Sequence, residues 1–367
     1  RGSSDTRPAP GSVVTPLAGL RAALATLPIR FHDGGDPEAA AATAAGCDAA
    51  VLVLGLDWRL EGEHIHPGDI APILRQIPPP DWLEQLLGHR RLQPVWRRFA
   101  ALISWITSFG SARQGGDFAA GDRTNLTLPP DQVALIRAVA RANPRTVVVL
   151  MGGGPVLVGD WLQEVPGLLM LWYPGQQGGH ALADVLLGRV SPSGRLPFAW
   201  PGRQSDLPPF EPRAAQVEYD LWHGYRRLQR DSHAPAFPFG FGLSYAHVDI
   251  ADLAVALDPG GEVRAEVSVR NSGGVAAAEV VQVYAEPPGQ AVERPQRTLA
   301  AFERLSLQPG EQRRLSLTIP LRRLAFFDTE RDGFALEAGP HRLVVARHAD
   351  DPGLAADLLL EPQWLGP

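Results

Sequence analysis

Leu168-Leu169-Met170-Leu171-Trp172-Tyr173-Pro174-Gly175-Gln176-Gln177-Gly178-Gly179-His180-Ala181-Leu182-Ala183-Asp184-Val185-Leu186-Leu187-Gly188 is the stretch whose reading decides the fold. Leu168 to Trp172 form a continuous apolar run of strand length, and Pro174 with the glycines after it stops that run. From Gly179 to Leu187 the apolar residues return at helical spacing, and Gly188 supplies a helix stop. Strand, turn and helix in this order are one unit of an open α/β sheet.

The same unit recurs upstream. Leu17 to Leu27 and the alanine-rich Ala39 to Ala50 have helical character, and Ala50-Val51-Leu52-Val53-Leu54-Gly55 reads as a buried parallel strand. Pro130 to Asn143 predicts a helix stopped at Asn143-Pro144, and Thr146-Val147-Val148-Val149-Leu150 the next buried strand. A doubly wound α/β sandwich is the expected architecture up to Phe237-Pro238-Phe239-Gly240-Phe241-Gly242-Leu243-Ser244-Tyr245. Beyond it the pattern changes. Val263 to Val269, Val280 to Tyr284, Arg314 to Ile319 and Arg342 to Ala346 alternate in polarity, with turn signals at Asn271-Ser272-Gly273-Gly274, Gln308-Pro309-Gly310 and Ala338-Gly339-Pro340. These predict an all-β immunoglobulin-like sandwich. The expected domains are 1–246, α/β, and 247–367, all-β.

Composition narrows the function classes. An apolar fraction of 45% in 367 residues is ample for packed cores, so the chain is read as globular. The net charge is −6 and every basic residue is arginine, a bias taken as GC-rich, bacterial-style coding; no basic run suggests nucleic acid. No apolar run approaches the roughly 20 residues that span a bilayer, so no membrane partner is expected. Cys47 is the single cysteine, which excludes a disulfide framework and is read as a buried, inert thiol. His64 and His66 on a loop do not make a metal site, and Met151-Gly152-Gly153-Gly154-Pro155 lacks the Lys-Ser/Thr pair of a phosphate loop, so neither metal nor cofactor is expected. Its glycines are read as allowing a sharp turn at the strand end.

The run from Trp172 to Gly188, followed by Ser191-Pro192-Ser193-Gly194-Arg195-Leu196-Pro197, resembles the accessory α/β domain of glycoside hydrolase family 3. The later half, with Glu293-Arg294-Pro295 and Pro309-Gly310-Glu311, resembles the fibronectin type III-like module that closes many such enzymes. The resemblance implies a retaining β-glycosidase of β-glucosidase type that acts on a β-linked oligosaccharide or glycoside. It also implies a nucleophilic Asp on a (β/α)₈ barrel that no segment here can form, so the chain alone is expected to be inactive and the barrel is its expected partner. A non-catalytic carbohydrate-binding or scaffold protein built from the same two domains is the alternative. The sugar, the compartment and the oligomeric state are not legible.

Retaining glycosidases use two carboxyl groups about 5–5.5 Å apart, and one can lie on this chain. Gly55-Leu56-Asp57-Trp58-Arg59-Leu60-Glu61-Gly62-Glu63 leaves the C-terminal end of a strand, where open α/β sheets place functional groups. By resemblance to the family's Glu-Gly-Phe-Asp-Arg loop, Glu63 aligns with the general acid/base. The rest of that motif does not follow at once; an insertion of about 64–116 intervenes before Gly121-Asp122-Arg123-Thr124-Asn125-Leu126-Thr127-Leu128-Pro129 resumes it. Glu61 is therefore the alternative acid, and a merely solvated acidic loop the third reading. The insertion is far longer than the roughly 12–15 residues usual for structureless loops. Trp82, Leu83, Leu86 and Leu87, then Trp96, Phe99, Leu102, Ile103 and Trp105, predict two short amphipathic helices, read as a packed hairpin, as an aromatic wall beside the substrate or, with only Arg90, Arg91, Arg97 and Arg98 as basic residues, least as a membrane-surface helix. Ser3, in a Gly-Ser loop like the family's, is the residue that would bond a sugar hydroxyl, an N-terminal tail with no fixed shape being the other reading. Tyr219 to Arg226 and Phe237 to Tyr245 are read as packing between the domains.

Overall fold

The computed structural model describes residues 9, 11–56, 58–61, 98, 123–211, 214–289 and 292–367. Ser3, Glu63, His64, His66 and the aromatic residues expected to form the two amphipathic helices lie outside these; of the insertion only Arg98 is described, as an exposed helical residue.

The N-terminal part is built on three parallel strands in the order β1-β2-β3: β1 (Ala50–Gly55), β2 (Thr146–Met151) and β3 (Gly167–Met170). Val53 pairs with Val149, and Val148 with Leu168. The β-branched run in β2 suits a central strand, and its Val148, Val149 and Leu150 are buried. Helices α1 (Pro16–Ala23), α2 (Pro37–Ala45), α3 (Trp58–Glu61), α4 (Pro130–Ala142), α5 (Gly178–Leu186) and α6 (Gly224–Arg230) accompany the sheet. The helices start as the chemistry of their first turns dictates. Asp36 caps α2 by accepting from the Glu38 and Ala39 amides, Thr15 caps α1, and each has proline at its first position.

Two helices end earlier than their apolar spacing suggested. The helix expected over 17–27 stops at Ala23, and that over 39–50 at Ala45, where Gly46 follows. Asn143, 4% exposed, closes α4 and ties it to α2: its amide nitrogen donates to the carbonyls of Ala44 (3.0 Å) and Cys47 (2.9 Å). Cys47 is half-buried, a correction to the buried reading, and its thiol donates to Thr43 O at 3.3 Å. The core of this part gathers Leu128, Ile136, Val148, Leu150, Val156, Trp161 and Trp200.

From Val248 onward every pairing is antiparallel. A three-stranded sheet, β4-β5-β8, packs against a four-stranded one, β12-β11-β6-β7, with β13-β10-β9 as a small third sheet. The strands are β4 (Val248–Leu257), β5 (Val263–Asn271), β6 (Ala277–Glu286), β7 (Thr298–Leu307), β8 (Gln312–Ile319), β9 (Phe326–Asp328), β10 (Gly333–Leu336), β11 (Gly339–Ala346), β12 (Leu354–Leu360) and β13 (Gln363–Gly366). Alternate residues of β5, Val263, Ala265, Val267 and Val269, are fully buried against Val281, Val283, Leu317 and Leu343. This is the α/β domain followed by a β-sandwich that the hydrophobic pattern implies. Among the described residues no helix is long and apolar enough to cross a membrane.

Of the two segments read as inter-domain packing, part serves that role. Tyr225 stacks on Phe239 with ring centroids 4.8 Å apart, and both pack against buried Tyr284, Val344, Ala346 and Ala349. Tyr219 is 71% exposed, and Tyr245 donates its hydroxyl to Val185 O within the α/β part.

Candidate active site

Three chain segments leave the C-terminal ends of β1, β2 and β3 and converge on one carboxylate, that of Glu61. The first passes through Gly55, whose φ of 142° is open to glycine and whose added Cβ would lie 1.8 Å from Met151 O. Gln132 on α4 brackets this glycine, accepting from its amide at 3.0 Å and donating to its carbonyl at 2.8 Å, and Leu56 N donates to Met151 O at 2.9 Å. So guided, the chain enters the single turn α3 and ends it at Glu61.

The second segment is Met151 to Pro155. Gly153 N donates to Glu61 Oε2 at 2.7 Å. The backbone bends at Gly152, Gly153 and Gly154 as expected, without positive φ at any of them, and Gly152 and Gly153 also permit close approach. A Cβ on Gly152 would lie 3.4 Å from Glu61 Oε2, and one on Gly153 3.1 Å from Tyr173 Cε2.

The third segment leaves β3. Leu171 N still donates to Leu150 O, but Trp172 takes φ 56°, a left-handed conformation costly for a side chain of this size, so the strand stops short of the predicted Trp172. Tyr173 follows and its hydroxyl donates to Glu61 Oε2. The remaining partner is Arg123, where the chain resumes after the insertion. Its Nη1 donates to Glu61 Oε1 at 2.8 Å and its Nη2 to Pro155 O at 2.8 Å. The pair is well shielded, with side-chain exposures of 13% for Arg123 and 8% for Glu61.

The Tyr173 hydroxyl is pushed up to about 12, mainly by burial and next by its bond to Glu61 and that carboxylate's charge, with Arg123 opposing. It is thus held as a donor across the ordinary pH range. An acid that gives up and retakes a proton needs an oxygen free toward the reacting bond. Glu61 accepts three hydrogen bonds, one on Oε1 from Arg123 and two on Oε2 from Gly153 N–H and Tyr173 O–H, of the about four that a carboxylate can take. Of the acids singled out in the sequence, Glu61 is therefore placed and engaged, whereas Glu63 and Ser3 lie outside the described residues. Arg123 and Tyr173 both stand in motifs quoted above, yet nothing in their spacing discloses that they meet. Among the described residues no group of three or more His, Cys, Asp or Glu could hold a metal.

Residues 1–245 match the glycosyl hydrolase family 3 C-terminal domain, and residues 279–349 the fibronectin type III-like domain. A probable beta-glucosidase I of Aspergillus terreus is 36% identical over 275 residues, covering 71% of this chain and 32% of the relative. A beta-glucosidase of Rhizobium radiobacter is 39% identical over 244 residues, covering 63% of this chain and 29% of the relative. The crystal structure of a Bifidobacterium adolescentis GH3 beta-glucosidase superposes with a TM-score of 0.72 at 27% identity, covering 97% of this chain and 46% of the other. The matched region spans about a third of the length of these curated relatives. Their sources are fungal as well as bacterial, so the bacterial-style composition does not mark an origin.

Proposed function

Because the chain belongs to glycosyl hydrolase family 3, we propose that it is the C-terminal part of a retaining β-glycosidase acting on terminal β-linked glucosides, with Glu63 as general acid/base. The observation that carries this reading is the convergence of the β1, β2 and β3 loops on Glu61, two residues before Glu63. It puts the Glu61 carboxylate at the strand ends, where an α/β sheet offers its functional groups. It also engages the rival acid in three accepted hydrogen bonds.

In this reading a carboxylate from another part of the protein attacks the anomeric carbon while Glu63 protonates the departing glycosidic oxygen. The C–O bond breaks as a glycosyl–enzyme ester forms. Glu63, now ionised, takes a proton from water, and the resulting nucleophile releases the sugar with its configuration retained. Ser3, by its resemblance to the family's Gly-Ser loop, bonds a sugar hydroxyl.

The test is Glu63→Ala in the full-length enzyme. Removing a general acid costs about 10²–10⁴-fold where the leaving group needs a proton. Glycosylation by a natural disaccharide is expected to slow on that scale, while glycosylation by a dinitrophenyl glucoside is largely spared. Azide, which needs no base, is expected to restore turnover and yield the β-glucosyl azide. Equal losses on both substrates with no azide product would remove Glu63 from the role, and the same signature in Glu61→Ala would transfer it there.

A further inference from the structure

Two segments singled out in the sequence, Tyr219 to Arg226 and Glu293-Arg294-Pro295, contribute nothing to the Glu61 carboxylate, yet the fold brings them to one cleft. It lies between α6 on the α/β side and the connection from β6 to β7 on the sandwich side, with a volume of about 550 Å³. Ligand pockets measure roughly 300–1,000 Å³ and concentrate at domain boundaries of this kind. We propose that the cleft binds a neutral sugar chain and, resting on the glycosidase reading above, that this chain is a β-linked gluco-oligosaccharide.

The walls are fixed by bonds of their own. Arg230 donates to Asp231 Oδ1 at 2.7 Å and holds its guanidinium 4.9 Å from the centre of the half-buried Trp222 ring, which steadies the indole from one side. On the sandwich side Glu286 Oε1 accepts from Arg297 Nε at 2.8 Å and from its Nη2 at 2.7 Å, and Arg294 pairs with Glu337. Little ordering is left for a ligand to impose.

Charge and shape decide the ligand class. Those pairings neutralise Arg230, Glu286 and Arg294, and the two remaining charged residues of the cleft, Arg226 and Glu293, make no hydrogen bond or ion pair among the described residues. One is a cation and the other an anion, so the cleft has no net preference for either sign. Arg226 offers donors only, Glu293 acceptors only, and Gln296 both. A ligand whose hydroxyls donate and accept matches that set; a phosphate or an acidic peptide would have to lie against Glu286 and Glu293. Trp222, Pro287 and Pro288 add apolar surface, on which the C–H face of a pyranose packs while its hydroxyl edge meets the polar groups.

Calorimetry of this chain with cellotetraose, a β-linked glucose tetramer, tests the cleft without any bond being hydrolysed, and a cooperative thermal melt certifies that each sample is folded. Binding with a Kd of roughly 1 mM is expected, weakened about tenfold or more in Trp222→Ala and less in Glu293→Ala. Glu293 is exposed, so its variant serves if loss of the indole impairs folding. No binding to the folded chain, or binding unchanged in both variants, overturns the proposal. Tighter binding of glucose 6-phosphate than of cellotetraose also overturns it, because the arginines would then make an anion site. The glycosidase reading is judged apart, by Glu63→Ala in the full-length enzyme. If that variant fails its test while cellotetraose binding still depends on Trp222, the acid/base assignment falls and the cleft stands; if it passes and cellotetraose does not bind, only the cleft falls.

Discussion

Glu61 and Arg123 stand 62 positions apart in the chain, and Oε1 of one accepts from Nη1 of the other at 2.8 Å. The pair closes the base of the whole insertion and does so nearly out of solvent, with side-chain exposures of 8% and 13%. Loss of one partner from a shielded pair leaves the other without compensation, a larger effect than for surface ion pairs. Arg123→Ala is expected to cost about 3 kcal/mol, read as a shift of the urea midpoint. A loss below about 1 kcal/mol would show that water already weakens the pair. Glu61→Gln, which can still accept from Gly153 and Tyr173, should lose less.

The contact of α1 with α5 rests on two glycines. A Cβ on Gly19 would meet Gly179 O at 2.0 Å, and one on Gly179 would meet Thr15 O at 2.1 Å, both backbone atoms that cannot rotate away. Gly179 N donates to Val14 O at 3.0 Å, so separating the helices also breaks a backbone bond. Gly179→Ala should therefore destabilise by about 3 kcal/mol, at the upper end of overpacking effects, despite alanine's better helix propensity. A thermal melt showing a gain in stability would mean that the helices separate freely.

What was legible follows from which signals are local. β2, α4 and the alternating strands of the sandwich are written in side-chain periodicity, and they appear nearly where expected. β4, β7 and β12 carried weaker alternation or a bulge and were not singled out; β4 shifts register between Ala251 and Ala254. The end of β3 was misplaced because Trp172 is apolar enough for a strand yet takes a left-handed turn, and no composition rule reveals φ. The site was half legible. The acidic loop was visible as residues, but the engagement of Glu61 depends on Arg123, Gly153 and Tyr173, at separations of 62, 92 and 112 positions, which only the fold brings together.

The seam between the two parts contains a shielded ion pair, Arg195 on the α/β side with Glu279 on β6, at side-chain exposures of 9% and 7%. Gln282 beside it donates to Gly240 O at 3.0 Å and to Arg347 O at 2.6 Å. The buried residues of the sandwich core all fall between Val248 and Leu360, so residues 247–367 are expected to fold alone, with proteolysis falling near Tyr245. The seam should nevertheless couple the two meltings. Calorimetry of Glu279→Ala is expected to split one transition into two, the sandwich melting at the higher temperature. A single transition that merely shifts downward would argue that apolar contacts around Tyr225, Phe239 and Tyr284 carry the coupling instead.

His341, 1% exposed, is expected to contribute to the acid limit. Its Nε2 lies 2.9 Å from Glu337 O, and burial holds the imidazole below its usual titration range, with Arg294 adding to the shift. In the unfolded chain the group protonates near 6.5. The folded protein binds that proton only at lower pH, so stability is present above about 6.5 and is lost as pH falls through the lower folded value. His348, also held low by burial, acts in the same direction. Stability measured by urea titration should decline below about pH 6.5, and His341→Gln should flatten that decline in proportion to this residue's share. An unchanged pH profile in the variant would leave the acid limit to His348 and the carboxylates.

The alkaline limit tests the Glu61 site directly. An unfolded tyrosine ionises near 10, and Tyr173 in the folded protein does so at about 12 because burial and the bond to Glu61 favour the neutral hydroxyl. Between these values the unfolded chain has released a proton that the folded one retains. The slope of unfolding free energy with pH follows protons bound unfolded minus protons bound folded, which is negative here. The contribution of Tyr173 is therefore complete below about pH 10 and vanishes as pH rises through 12. Tyr284, fully buried and pushed up further by desolvation, adds a parallel loss. Tyr173→Phe should thus be less stable than wild type at pH 8, and the two stabilities should draw together by pH 12, with the remaining slope assigned to Tyr284. Ultraviolet titration supplies the independent check: the variant is expected to lose one late-ionising phenol. If the late phenol persists in Tyr173→Phe and the stability gap stays constant with pH, the hydroxyl is not bonded to Glu61 in solution, and the three-donor arrangement at the strand ends is incomplete.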